Sequence, residues 1–158
     1  MEQENTNASL YNEVKIIDDA KQYFLKEFAS SEIHLDQAYL HIGVYLGWII
    51  ENSLYSEDFE DEFGVQIFRF KNRDLSCVIV GELWDGIISS DQFSMPEGNA
   101  FTTYYYESGM YMKDFHQTLG GDNEESIFKV QDNWENFEKV QSIINERYAY
   151  WKMNIWDN

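Results

Sequence analysis

Residues 36–52, DQAYLHIGVYLGWIIEN, form the one stretch of the chain that is apolar on every side. Ala38, Ile42, Tyr45, Leu46 and Ile49 recur at helical spacing, and Leu40, Val44, Gly47 and Trp48 fill much of the remaining circumference. A helix without a polar face belongs inside a domain, so this stretch is expected to be the central helix. Gly43 and Gly47 lie four apart on one side of it, where the missing side chains let a neighbour approach closely. The run from Ala38 to Ile50 is shorter than the roughly 18 to 20 apolar residues a bilayer needs, and His41 interrupts it.

The flanking pattern predicts further, shorter helices. Residues 1–9 carry no apolar periodicity and read as a frayed tail, which leaves one domain over residues 10–158. Asp18 to Phe28 reads as a first helix with Ala20, Phe24 and Phe28 on one face, and Asp36 is placed to cap the central one. In SEDFEDEFG, Phe59 and Phe63 share a helical face while Glu57, Asp58, Glu60, Asp61 and Glu62 stay in water, an anchored acidic ridge. The following VQIFRFKNRD permits strand alternation at 65–70 or a continued helix. Leu75 to Trp84 reads as a short helix ending in an Asp85-Gly86 turn. Helices are also expected over Ala100–Tyr106 and Tyr111–Leu119, the first stopped by Ser108-Gly109 and the second by Gly120-Gly121. A last helix is expected from about residue 133 to about 152, where Trp134, Phe137, Val140, Ile144, Tyr148 and Trp151 recur every three to four residues and Asp132 with Glu135 has capping-box spacing. The expected fold is therefore mainly α, a single compact helical domain around a buried central helix.

Composition narrows the function classes. The 158 residues include 44% hydrophobic side chains, enough for one real core, and a 17% aromatic share that suits either a compact core or a binding surface. Twenty-nine acidic residues against 11 basic ones give a net charge of -18. Nucleic acid would be repelled by such a surface, whereas a basic protein would be steered onto it. The lone Cys77 excludes an intrachain disulfide, and a polar, acidic start without a basic-then-apolar leader points to the cytoplasm. Cys77 sits in the apolar run CVIV and is expected to be a buried, inert thiol.

No strong catalytic signature occurs: there is no phosphate-cradling glycine loop, paired-cysteine motif, nucleophile elbow or HExxH. Histidines stand at 34, 41 and 116, and His41 on the central helix is expected to be a core histidine with one hydrogen-bonded nitrogen. Asp85, Glu97 and Asp114 each lie near a turn and could converge on a hard metal ion or perform acid-base work. Asp85 and Asn99 also suit turns and caps.

The combination HIGVYLGWIIENSLYSEDF, WDGIISSDQFSMPEGNAFTTYYY, Tyr111-x-x-Asp114 and NWENFEKVQSIINERYAYWK resembles a family of small acidic bacterial proteins of unknown function. Members of that family are similar in size, acidity and genomic company to the immunity proteins that protect a cell from polymorphic or contact-dependent toxins. The resemblance covers most of residues 17–152 and carries over no catalytic residue or cofactor. It implies a binding protein that covers a cognate toxin, basic and of nuclease or other cytosolic type, with a surface of Glu57, Asp58, Glu60, Asp61, Glu62, Trp84, Asp85 and Glu97. The alternatives are a small metal- or ligand-binding enzyme using Asp85, Glu97 and Asp114, and a homomeric structural protein.

Overall fold

The computed structural model describes residues 13–22 and 34–157. Along the chain come β1 (Ile16–Asp19), α1 (Leu35–Glu51), α2 (Glu57–Lys71), α3 (Cys77–Leu83), β2 (Ile87–Ser89), α4 (Glu97–Thr102), α5 (Met110–Leu119) and α6 (Trp134–Trp151). A π-helical turn, Thr103–Glu107, continues α4, another, Lys152–Trp156, continues α6, and a 3-10 segment, Glu124–Lys129, joins α5 to α6. The protein is mainly helical, with a two-stranded antiparallel sheet at one side.

The fully apolar stretch is the central helix α1, and every residue from Ala38 to Ile50 is buried. Its start is organised by His34 and Gln37 rather than by Asp36, the Gln37 side-chain carbonyl accepting from the His34 N–H at 2.9 Å. Gly43 works as its spacing implies: a Cβ there would lie 1.7 Å from the Cys77 carbonyl oxygen, so α3 crosses α1 backbone to backbone. Gly47 instead receives the rings of Phe70 from α2 and Phe137 from α6. Among the described residues no helix is long and apolar enough to cross a membrane.

The aromatic content goes mainly into the core. Tyr45 of α1 lies among Trp48, Phe93, Tyr105, Tyr106 and Tyr111, and its hydroxyl meets the Thr102 hydroxyl at 2.9 Å. Trp48 donates from its indole N–H to Asn145 Oδ1 at 2.8 Å, which fixes α6 on α1. Aromatic pairs of this kind add about 0.5–1.5 kcal/mol each beyond the area they bury. Cys77 is buried as expected, and burial pushes its thiol well above the usual range.

Three further expectations change. The strand alternation at 65–70 is overruled, because Phe59, Ile67 and Phe70 are the buried residues of one helix, while Val65 and Phe68 point outward. A strand would need Val65 and Ile67 on the same side. The real strands are β1 and β2, paired with Ile16 opposite Ser89 and Asp19 opposite Ile87, with an irregularity between Ile16 and Asp18. Asp18 and Asp19 thus belong to a strand, the chain becomes helical only at Ala20, and the rest of the expected first helix, including Phe24 and Phe28, lies outside the described residues. Finally, Asn133 rather than Asp132 caps α6, accepting from the Asn136 N–H at 2.8 Å, while Asp132 accepts from the Val78 N–H at the start of α3.

Candidate functional site

The acidic ridge forms the first turns of α2. Ser56 caps the helix, its hydroxyl oxygen accepting from the Phe59 N–H at 3.1 Å and its hydroxyl donating to the Asp91 carbonyl at 2.6 Å. Phe59 is buried and lies flat on Trp84, ring centroids 5.1 Å apart at 4°, with Phe63 tilted against both. Trp84 is therefore half-spent inside the molecule as the seat of α2. Glu57, Asp58, Glu60, Asp61 and Glu62 are all exposed, and none pairs with a cation among the described residues. The positive end of the helix dipole offsets part of the repulsion among the carboxylates of the first turn. Beyond a kink at Phe63 the same helix presents Val65, 70% exposed, and Phe68, 68% exposed, three residues apart.

Asp85, Glu97 and Asp114 do not form one site, because each is held by a different cation. Exposed Asp85, in a left-handed turn with Gly86, pairs with Lys21 at 2.5 Å. Glu97 accepts from Lys152 and, at 3.0 Å, from the Tyr148 hydroxyl; the Lys152 contact holds its carboxyl below the usual range. Buried Asp114 takes a two-pronged contact from Arg147 at 2.9 and 3.0 Å and the Tyr105 hydroxyl at 2.8 Å. The last two contacts tie α6 to α4 and α5. Among the described residues no group of three or more His, Cys, Asp or Glu side chains is placed to hold a metal ion.

A cleft absent from the sequence-based expectations lies beside α1. Its volume is about 430 Å³, and Ile17 and Asp18 of β1, His41 of α1, Tyr106, Glu107, and Met112, Lys113 and His116 of α5 line it together with Ile127. His41 is only 4% exposed and meets Asp18 Oδ2 at 3.0 Å through Nε2, which is the single-partner core histidine expected of it. The Tyr106 hydroxyl donates to the same oxygen, and Asp18 Oδ1 accepts from the Asp19 N–H at 2.8 Å. Burial by itself would raise the Asp18 carboxyl, but the His41 contact and the Tyr106 hydroxyl outweigh it and hold the group below its ordinary value of 3.8. Burial and the neighbouring Asp18 push the Tyr106 hydroxyl well up. No local pattern could have joined positions 18, 41 and 106; the only advance signal was a histidine in an otherwise apolar helix.

A family model described as a domain of unknown function, DUF7832, matches residues 16–130. The chain belongs to the DUF7832 family. No curated protein and no solved structure matches it. The DUF7832 match runs from β1 through the 3-10 segment, so it contains both the acidic ridge and every residue of the cleft, and it ends before α6. The clamps at Glu97 and Asp114 join that matched region to α6.

The Asp18 contacts give the DUF7832 domain an acid-sensitive joint. A carboxyl held below its unfolded value contributes stability that is present above about pH 4 and is lost as the pH falls through the lower folded value. Asp18→Asn should therefore melt at a lower temperature than the natural chain at pH 7, and the difference should shrink by pH 3. A difference independent of pH between 7 and 3 would show that this carboxylate is not the titrating element.

Proposed function

We propose that this protein is a neutralising, immunity-type binding protein that acts in the cytoplasm by docking α2 on a basic bacterial toxin. The observation that carries this reading is the composition of the outer face of α2, where five exposed carboxylates, none of them in an ion pair among the described residues, lead into outward Val65 and Phe68. Exposed carboxylates accelerate encounter with a positive surface, while apolar groups that become buried in the complex set how long it lasts. The net charge of -18 extends the same field over the molecule. Within this reading Trp84 supports the docking helix from behind, and Asp85 and Glu97 lie outside the contact.

The test uses the proteins encoded by the adjoining genes, produced separately and presented to the immobilised chain. One of them is expected to bind, without added metal. Val65→Ser combined with Phe68→Ser should speed dissociation at least about tenfold, equivalent to about 1.4 kcal/mol, with little change in melting temperature because both side chains are already in water. Binding by no adjoining product, or an unchanged dissociation rate, would remove α2 from this role.

A further inference from the structure

The cleft has a polarity that its protein contacts do not use up. Asp18 is fully engaged, since both of its oxygens already accept hydrogen bonds from His41, Tyr106 and the Asp19 backbone. Glu107 is likewise paired with Lys15. Lys113, by contrast, has no ion-pair partner among the described residues, although it lines the cleft of a chain with 29 acidic side chains. His116, three residues further along α5, donates from Nε2 to the Asn123 carbonyl at 3.1 Å, which leaves Nδ1 as its other polar atom. Ile17, Met112 and Ile127 supply the apolar part of the lining.

We infer that this cleft is a binding site for a small amphiphilic anion, with a carboxylate or phosphate head held at Lys113 beside His116 and an apolar body laid against Ile17, Met112 and Ile127. The volume, about 430 Å³, falls within the usual range of about 300–1,000 Å³ for small-ligand sites. Charge selects the head group. Among the described residues Lys113 is the cation of the lining without an ion pair, whereas Glu107 is paired with Lys15 and Asp18 is saturated by its hydrogen-bond donors, so an anion gains a partner at Lys113 and an organic cation does not. The Asp18–His41–Tyr106 contact has a positioning role: it fixes β1, and with it Ile17, against α1. This site is separate from the outer face of α2 and does not depend on the partner-binding reading.

Octanoate, octyl phosphate, octylammonium and acetate provide the probes, each titrated into the intact protein below its micelle concentration while amide NMR shifts and the melting temperature are followed. Octanoate or octyl phosphate should raise the melting temperature and shift amides around Met112, Lys113 and Ile127, because a ligand that binds only the folded state stabilises it. Whichever of the two binds more tightly identifies the head group as carboxylate or phosphate. Acetate, lacking the apolar body, and octylammonium, carrying the wrong charge, should bind at least tenfold more weakly. Lys113→Glu alters an exposed side chain that has no ion pair among the described residues to lose, so the fold should persist while affinity for the anionic probe falls at least tenfold. Absence of any shift, equal binding of octylammonium, or full affinity in Lys113→Glu would each overturn the assignment.

Discussion

Ile42→Asp is expected to abolish folding at neutral pH. Ile42 is completely buried at the centre of α1, with buried residues on both sides of it along the helix. Its replacement removes roughly 2–3 kcal/mol of apolar burial and puts a carboxyl into the buried core, at a further cost of several kcal/mol. The sum, about 5 kcal/mol or more, matches the whole stability of an ordinary domain. Ile42→Val in the same place should cost only about 0.5–1.5 kcal/mol, so the pair separates the burial claim from a general sensitivity of α1. Circular dichroism and urea titration of both variants give the answer; native-like helicity with an unchanged midpoint in the aspartate variant would contradict a buried central helix.

Gly43→Ala is expected to destabilise where Gly64→Ala stabilises. In α1 the added methyl would stand 1.7 Å from the Cys77 carbonyl oxygen and 3.2 Å from the Gly81 nitrogen, and both are backbone atoms of a helix that cannot rotate out of the way. Separating α1 from α3 far enough costs about 1–3 kcal/mol or more, which exceeds the gain of up to about 1 kcal/mol that alanine brings to a helix. Gly64, on the exposed side of α2, has nothing within 4 Å of the same methyl, so there the helical preference acts alone and should add about 0.5–1 kcal/mol. Urea midpoints that move in the same direction for both variants would contradict the backbone contact between α1 and α3.

The parts of this fold that were legible in the sequence are those whose signal is local and repeated. The apolar girth of residues 38–50, broken only by His41, reads as a buried helix, and Trp134 to Trp151 repeats every three to four residues over five turns. Gly43 announced a close crossing, though not that α3 would fill it. The short elements were harder, because Ile87–Ser89 has only three residues in which to display alternation, and β1 exists only because β2 lies beside it. Residues 65–70 misled for a physical reason: Val65 and Phe68 are apolar yet exposed, so a pattern read on the assumption that apolar means inward acquires a false period of two. That departure from burial is also the observation on which the proposed docking role of α2 rests. The candidate carboxylates were legible singly and not as a set, since Lys21, Lys152 and Arg147, which divide Asp85, Glu97 and Asp114 among them, reach those acids from 64, 55 and 33 positions away.

The central claim, that α2 steers a basic partner onto this protein, is tested most directly by the association rate as a function of ionic strength. The natural chain is compared with a variant in which Glu57, Glu60 and Glu62 become Gln and Asp58 and Asp61 become Asn. The substitutions keep side-chain size, delete five exposed charges and leave Phe59 and Phe63 seated on Trp84, so the fold should be retained. With the adjoining gene product that binds, association of the variant is expected to be slower by about tenfold or more at low salt. The two rates should converge as salt shortens the screening length from about 30 Å at 0.01 M to about 3 Å at 1 M. An association rate indifferent both to the five substitutions and to salt would contradict the account.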